Sequence, residues 1–340
     1  MMSNTFSSTN LPVKATIYHG VEDKIQQDSV DLPRSLKPTE VLLKITHASV
    51  CGTDIHYIPS GIALGHEGVG IVEAVGDAVS TLKVGDRVGT SYLRNSCGHC
   101  KYCLTGREIW CYNRDTFGEQ NFTTGAITDY LIGNETFLYK IPDSILSEHA
   151  APLQCAGATV YVALASVLQP RQRVGILGIG GLGHLAIQFA SKLGAEVVVF
   201  STSPAKEKEA REFGASEFIL LDKPETVSSP IDVLVVASSS TPDWKKFCRK
   251  DVLARGGTII PLSAPAETYQ FPGWQMFFDG YNLRASLVSS RAEHADMLAF
   301  AAQHEIKPVV ETFELNDTGI AQAFGKLKSG TIRYRGVLIA

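Results

Sequence analysis

The feature that most constrains the fold is a glycine-rich turn between an apolar run and a helical one. Gly178-Ile179-Gly180-Gly181-Leu182-Gly183 follows Val174-Gly175-Ile176-Leu177, which reads as a buried strand. Leu182 to Leu193 then reads as a helix, and Glu196 to Phe200 as a second apolar strand. A G-x-G-x-x-G turn permits a tight reversal, close approach of the backbone to a pyrophosphate, and close packing of helix on strand. The helix N-terminus adds amide donors and partial positive charge. The same glycines would also serve an α/β domain that binds no nucleotide, but the strand–turn–helix–strand context favours the dinucleotide reading. Gly178, Gly180, Gly181, Leu182 and Gly183 are therefore the candidate pyrophosphate cradle.

The alternation continues. Ala205 to Phe213 reads as a charged amphipathic helix ending at Gly214, and Ile231–Ala237 and Gly257–Ile260 read as further strands. Strand alternating with helix implies βαβ units and a doubly wound parallel sheet over 157–290. Residues 1–156 differ, with short apolar runs such as Val41-Leu42-Leu43-Lys44-Ile45, Gly70–Val75 and Asp86–Gly89 between turn residues. This part reads as a β-rich domain, to which 291–340 return. Two domains suit 340 residues.

After the second strand stands Ser201, followed by Thr202, Ser203, Pro204, Ala205 and Lys206, with no carboxylate until Glu207. An NAD site usually places Asp or Glu there for the ribose 2′-hydroxyl. Three hydroxyls and a cation suit a 2′-phosphate instead, so NADP(H) is expected over NAD(H). Ser203 as N-cap and Pro204 as first helical residue would aim a helix N-terminus at the same spot. The alternative is that 201–203 only cap the helix and Lys206 is solvated.

Charged residues make up 19 % and the net charge is −4, which disfavours disorder and a general nucleic-acid binder. Val174–Ala190 is interrupted by five glycines and carries His184 and Gln188, so it fails as a membrane span. The polar start MMSNTFSSTNLPVK reads as a frayed tail and not as a signal peptide, and a cytoplasmic location is expected.

Seven cysteines occur, at 51, 97, 100, 103, 111, 155 and 248. In a reducing compartment such clustering points to metal or redox chemistry more than to disulfides. Cys97, Cys100, Cys103 and Cys111 give C-x2-C-x2-C-x7-C, within a lobe of about 95–113. Four thiolates complete a closed tetrahedral zinc site, hence a structural one. An iron–sulfur cluster also accepts four cysteines, and free thiols remain the plain alternative.

Cys51-Gly52-Thr53-Asp54-Ile55-His56 and Gly65-His66-Glu67-Gly68 bring a thiol, imidazoles and acids together, and Cys155 is a third soft donor far along the chain. Two cysteines and a histidine leave a fourth position for water or an alcohol, the pattern of a catalytic zinc. The alternative for Cys155 is a buried structural thiol.

These segments, with Gln154-Cys155-Ala156-Gly157 and the Arg333-Tyr334-Arg335 tail, stand in an order that resembles the zinc-dependent medium-chain alcohol dehydrogenases, from about residue 13 to the end. Ser201–Lys206 is most similar to the NADP-preferring cinnamyl-alcohol-dehydrogenase-like branch. The resemblance implies a GroES-like catalytic domain, a Rossmann domain and an active cleft between them. It also implies that Cys51, His66 and Cys155 bind a catalytic zinc, with Glu67 an occasional alternative ligand. By the same resemblance Asp54 orients the ligand imidazole, and Arg335 corresponds to a pyrophosphate-contacting arginine. Two zincs per chain follow.

On that reading zinc polarises a carbonyl or lowers the pKa of an alcohol, while hydride passes to or from the nicotinamide. Thr53 would take the alcohol proton and pass it through the nicotinamide ribose hydroxyl to His56. The expected reaction is reversible conversion of a primary alcohol and its aldehyde. Reduction of a C=C or C=N bond on the same scaffold, or a non-catalytic zinc- and nucleotide-binding protein, are the alternatives; Thr53 and His56 favour carbonyl chemistry. Two departures stand out: Gly52 follows the first cysteine where relatives carry Arg or His, and the Cys51–His66 stretch is short. Tyr57, Ile58, Trp110, Phe117 and Met276 are candidate pocket residues. The apolar Leu283–Ser289 segment is compatible with a homodimer or homotetramer.

Overall fold

In a computed structural model that describes residues 11–263 and 268–340, the chain divides into two compact units. The first runs through Cys155 and recruits Ser290–Leu298 and Val309–Ala340. The second holds Ala156–Ser289 and Ala299–Pro308. Most of the N-terminal tail read from the sequence lies outside the described residues.

The second unit is built on a six-stranded parallel sheet. Its order is Glu217–Leu220, Glu196–Ser201, Arg173–Leu177, Ile231–Val236, Leu253–Pro261 and Asn282–Leu283. Numbered along the chain this is 3-2-1-4-5-6, the doubly wound dinucleotide-binding order. Val197, Val198, Val199 and Phe200 are all fully buried, as a parallel strand covered on both faces requires. The helix Gly183–Lys192 buries Leu185, Ala186, Ile187 and Phe189. Strand order reverses between Arg173–Leu177 and Ile231–Val236, so the crevice for a ligand opens at their carboxyl ends.

One expectation needs correction here. Ala205–Phe213 is not one helix: a 3₁₀ turn, Pro204–Lys206, precedes the α-helix Glu207–Glu212. Ser203 accepts from the Ala205 amide at 3.2 Å, and Pro204 fixes the first residue, so the cap tightens the opening turn.

The first unit carries a seven-stranded sheet. Along it run Val310–Glu314, Arg335–Ile339, Glu40–Val50, Gly68–Val75, Arg87–Thr90 and Leu138–Lys140, and Tyr130–Asn134 also pairs with Glu40–Val50. The long central strand hides Val41, Leu42, Leu43, Ile45, Ala48 and Val50. Its register sets the site. Gly336 lies opposite Val50 and Gly68 opposite Ala48, so Arg335, Cys51 and Glu67 come to the same end of neighbouring strands. Among the described residues no helix is long and apolar enough to cross a membrane.

Candidate active site

Cys51 leaves the central strand and caps the short helix Gly52–Tyr57. Asp54, three residues on, accepts the Cys51 amide on Oδ2 at 3.0 Å. Its other oxygen accepts the Gly65 amide at 3.0 Å and meets His66 Nδ1 at 3.1 Å. One fully buried carboxylate thus fixes the first cysteine, the turn before the histidine and the imidazole itself. With Nδ1 committed to Asp54, His66 presents Nε2, which is buried and has no hydrogen-bond partner among the described residues. Cys155 arrives from a π-helical turn, Leu153–Gly157, a bulge common at functional sites.

Donor atoms of Cys51, His66, Glu67 and Cys155 all lie within 4.8 Å of one another, and a second such group is Cys97, Cys100, Cys103 and Cys111. An orphaned imidazole nitrogen beside two thiols is the donor set of an N/S-ligated metal. Hydrogen bonding to the Cys155 thiol, helped by the nearby imidazole and opposed by burial, holds Cys51 well below its ordinary value. The same hydrogen bond, together with burial, pushes Cys155 up. For His66, burial opposes the charged form, but Asp54 and Cys51 outweigh it and raise the pKa.

Glu67 is fully buried and pairs with Arg335, whose Nη2 also donates to Ser49 Oγ at 3.2 Å. Burial pushes Glu67 up to about 7 against the pull of Arg335. The guanidinium is therefore committed to Glu67 within this unit. Thr53 is half-buried, with Oγ1 3.7 Å from Cys51 Sγ, and His56 is exposed on the same helix.

The aromatic surround was only partly legible. Phe117 is fully buried and stacks on His66 at 4.7 Å, with Tyr57 edge-on at 5.1 Å and Arg94 over its ring at 5.1 Å. Phe117 therefore backs the imidazole and does not line an open pocket. Ile58 is likewise core, Trp110 is exposed in the cysteine lobe, and Met276 packs on the second unit's core. Tyr92, edge-on to His66 at 5.7 Å, was missed; it stands alone in sequence with no spacing to mark it.

In the lobe, Cys97, Cys100, Cys103 and Cys111 bring sulfurs to 3.5–3.9 Å for three of their pairs. A tetrahedron of Zn–S bonds of about 2.3 Å has sulfur–sulfur edges of about 3.8 Å. Backbone amides of His99 and Cys100 hold the Cys97 thiol down at about 6. The cluster fits a structural zinc.

In the second unit Gly178 has φ +95°, and a Cβ on Gly183 would come within 1.9 Å of the Gly178 carbonyl oxygen. At Gly180 a Cβ would meet none of the described residues within 4 Å, so the middle of the turn is open among them. Ser201 Oγ donates to the Ser203 carbonyl at 3.1 Å, and Lys206 Nζ donates to the Ile179 carbonyl at 2.8 Å, which folds the 201–206 segment onto the glycine turn. Thr202 lines a cavity of about 350 Å³ beside Leu177 and Leu221, at the carboxyl ends of three strands.

Residues 37–143 match the model of the alcohol dehydrogenase GroES-like domain, and residues 181–303 that of zinc-binding dehydrogenases. An alcohol dehydrogenase from Geobacillus stearothermophilus is 35 % identical over 339 residues, covering 96 % of this chain and 98 % of its own. The chain belongs to the zinc-binding alcohol dehydrogenase family. Two solved structures of cinnamyl-alcohol-dehydrogenase type are similar throughout. The Sorghum bicolor enzyme is 28 % identical with a TM-score of 0.89, covering 96 % of this chain and 97 % of its own. CAD from Helicobacter pylori, solved with NADP(H), is 25 % identical with a TM-score of 0.86, covering 96 % and 98 %. A GroES-like unit and a Rossmann-type unit are therefore the two parts of an alcohol dehydrogenase oxidoreductase of this family.

Proposed function

We propose that this dehydrogenase interconverts a primary alcohol and its aldehyde with NADP(H), using a zinc held by Cys51, His66 and Cys155. The observation that carries the reading is the buried donor set in which Asp54 fixes His66 Nδ1 and leaves Nε2 facing two thiols. Zinc bound there supplies Lewis acidity that polarises a carbonyl or acidifies an alcohol, and the nicotinamide supplies or takes the hydride. The chain's own residues do the rest. Asp54 keeps the imidazole in one tautomer and orientation. Thr53, beside Cys51, takes the proton of the alcohol, and exposed His56 exchanges it with solvent. Glu67 lies close enough to serve as an alternative ligand, and Arg335, released from it, would bind pyrophosphate.

Gly178, Gly180, Gly181, Leu182 and Gly183 would cradle the pyrophosphate. Ser201, Thr202, Ser203 and Lys206 would receive the 2′-phosphate, since no carboxylate stands among them in sequence; Asp222 and Asp243, which line the Thr202 cavity, share it with Lys246. We read residues 1–156 with 291–340 as the catalytic domain and 157–290 as the nucleotide domain. Exposed Trp274, Phe277, Phe278 and Leu283, near the edge strand Asn282–Leu283, favour pairing of two copies. Reduced thiols in both clusters suit the cytoplasm.

The test combines metal analysis with kinetics. Two zincs per chain and aldehyde reduction faster with NADPH than with NADH are expected. One zinc per chain, or a clear NADH preference, would refute the zinc and cofactor assignments respectively. Cys51→Ala should abolish turnover while NADPH still binds.

A further inference from the structure

Three parts of the first unit converge on the residue before Cys155. The Gln154 carboxamide is fully buried. Its Nε2 donates to the Ala150 carbonyl at 2.9 Å, and its Oε1 lies 3.0 Å from His294 Nε2. Its backbone carbonyl accepts from Ser91 Oγ at 2.7 Å. Gly89 makes the room, because a Cβ there would come within 2.2 Å of Gln154 Oε1. A buried amide is costly unless both ends are satisfied, and here both are. The turn it belongs to is π-helical, a form that occurs mostly as single-turn bulges at functional sites.

His294 is equally buried and stacks on Tyr139 at 3.8 Å and 16°. Burial pushes its pKa down to about 3, so the ring is neutral and Nε2 donates to the amide oxygen. The histidine stands in the first turn of the helix Arg291–Gln303. Other groups at that helix start reach the cysteine lobe. Ser290 Oγ accepts the Ile109 amide at 3.3 Å, and Arg291 Nε and Nη2 donate to Glu108 Oε1 at 2.9 and 2.6 Å. Glu108 and Ile109 lie between Cys103 and Cys111, and Glu108 is buried.

We propose that Gln154 and His294 are positioning residues for Cys155, and that Ser290 and Arg291 tie them to the four-cysteine lobe. One helical turn joins the two sulfur clusters: the lobe fixes the helix start, His294 fixes the carboxamide, and the carboxamide fixes the turn that presents Cys155 Sγ. This rests on the reading of Cys51, His66 and Cys155 as metal ligands.

Cobalt(II) in the Cys51 cluster, with zinc kept in the lobe, gives a thiolate-to-metal charge-transfer band that reports the Cys51 and Cys155 bonds together, and a displaced Cys155 lowers it. His294→Leu should weaken cobalt binding about 10- to 100-fold and lower the band. His294→Gln, which still offers a donor to Gln154, should recover most of both. Arg291→Lys should shift the band while the lobe keeps its zinc. Arg291 is 37 % exposed, so this variant decides the matter if His294→Leu does not fold. Wild-type affinity and band in every variant that folds would overturn the proposal. A wild-type chain that binds no metal beyond the lobe would overturn the underlying ligand assignment instead.

Discussion

Arg335 and Glu67 form an ion pair in which the arginine side chain is 5 % exposed and the carboxylate not at all. Among the described residues the second Glu67 oxygen and Arg335 Nε have no hydrogen-bond partner. Such a pair is held by mutual attraction in a setting where either charge alone is costly. In metal-free protein Arg335→Met should cost about 3–5 kcal/mol near pH 8. Burial already pushes Glu67 up to about 7, so the fold favours its protonated form; stability from that group is present at low pH and lost as pH rises through 7. The loss in Arg335→Met should therefore be smaller at pH 6. Urea melts at the two pH values would read it, and an equal loss at both would contradict the argument.

Asp54 touches three groups of the site through two oxygens. Asp54→Asn keeps the shape but offers one acceptor instead of two, so His66 Nδ1 or an amide loses its partner. Metal affinity at the Cys51 cluster should fall about 10- to 100-fold. The lobe metal should stay, so zinc per chain after mild chelation would drop from two toward one.

The glycine turn separates folding from binding. Gly183→Ala drives a methyl into the Gly178 carbonyl and should lower the melting temperature. Gly180→Ala meets no atom of the described residues within 4 Å and should leave the melt unchanged. It should still weaken NADPH binding about tenfold or more, because the added methyl occupies the space a pyrophosphate approaches. Fluorescence titration with NADPH beside thermal melts would show whether the two effects part in this way.

His294 is held neutral at a pKa of about 3, against 6.5 when unfolded. A depressed histidine gives stability that is whole above 6.5 and is lost as pH falls toward 3, since only the unfolded chain takes up the proton. Between pH 6 and 4 the wild type should lose about 1.4 kcal/mol per pH unit more than His294→Gln. Unfolding free energies from urea melts that fall in parallel with pH for the two proteins would refute it.

Much of the site was legible because its chemistry is local in sequence. Cys51 to His56, Gly65 to Gly68 and the four lobe cysteines each carry their spacing within a few residues, and the glycine turn announces both flanking elements. What could not be read were pairings across the chain. Gln154 with His294 spans 140 residues, and Arg291 with Glu108 spans 183. A polar Gln154 after Ala150-Ala151-Pro152-Leu153, and Glu293 three residues past Ser290, were the available signals. Neither names its partner. Phe117, one of the pocket candidates, packs instead against His66, because an aromatic's burial is set by tertiary packing that the sequence does not spell out.

The order of manufacture matters for such a molecule. Every donor of the Cys51 cluster is synthesised by residue 155, yet the groups that brace it, His294 through Gln154 and Arg335 through Glu67, come from the last fifty-one residues. A ribosome that has released only the first 289 residues displays Cys51 and His66 already braced by Asp54, but Gln154 without His294 and Glu67 without Arg335. The last braces of Cys155 and Glu67 therefore arrive only with residues 290–340, after every donor atom is in place.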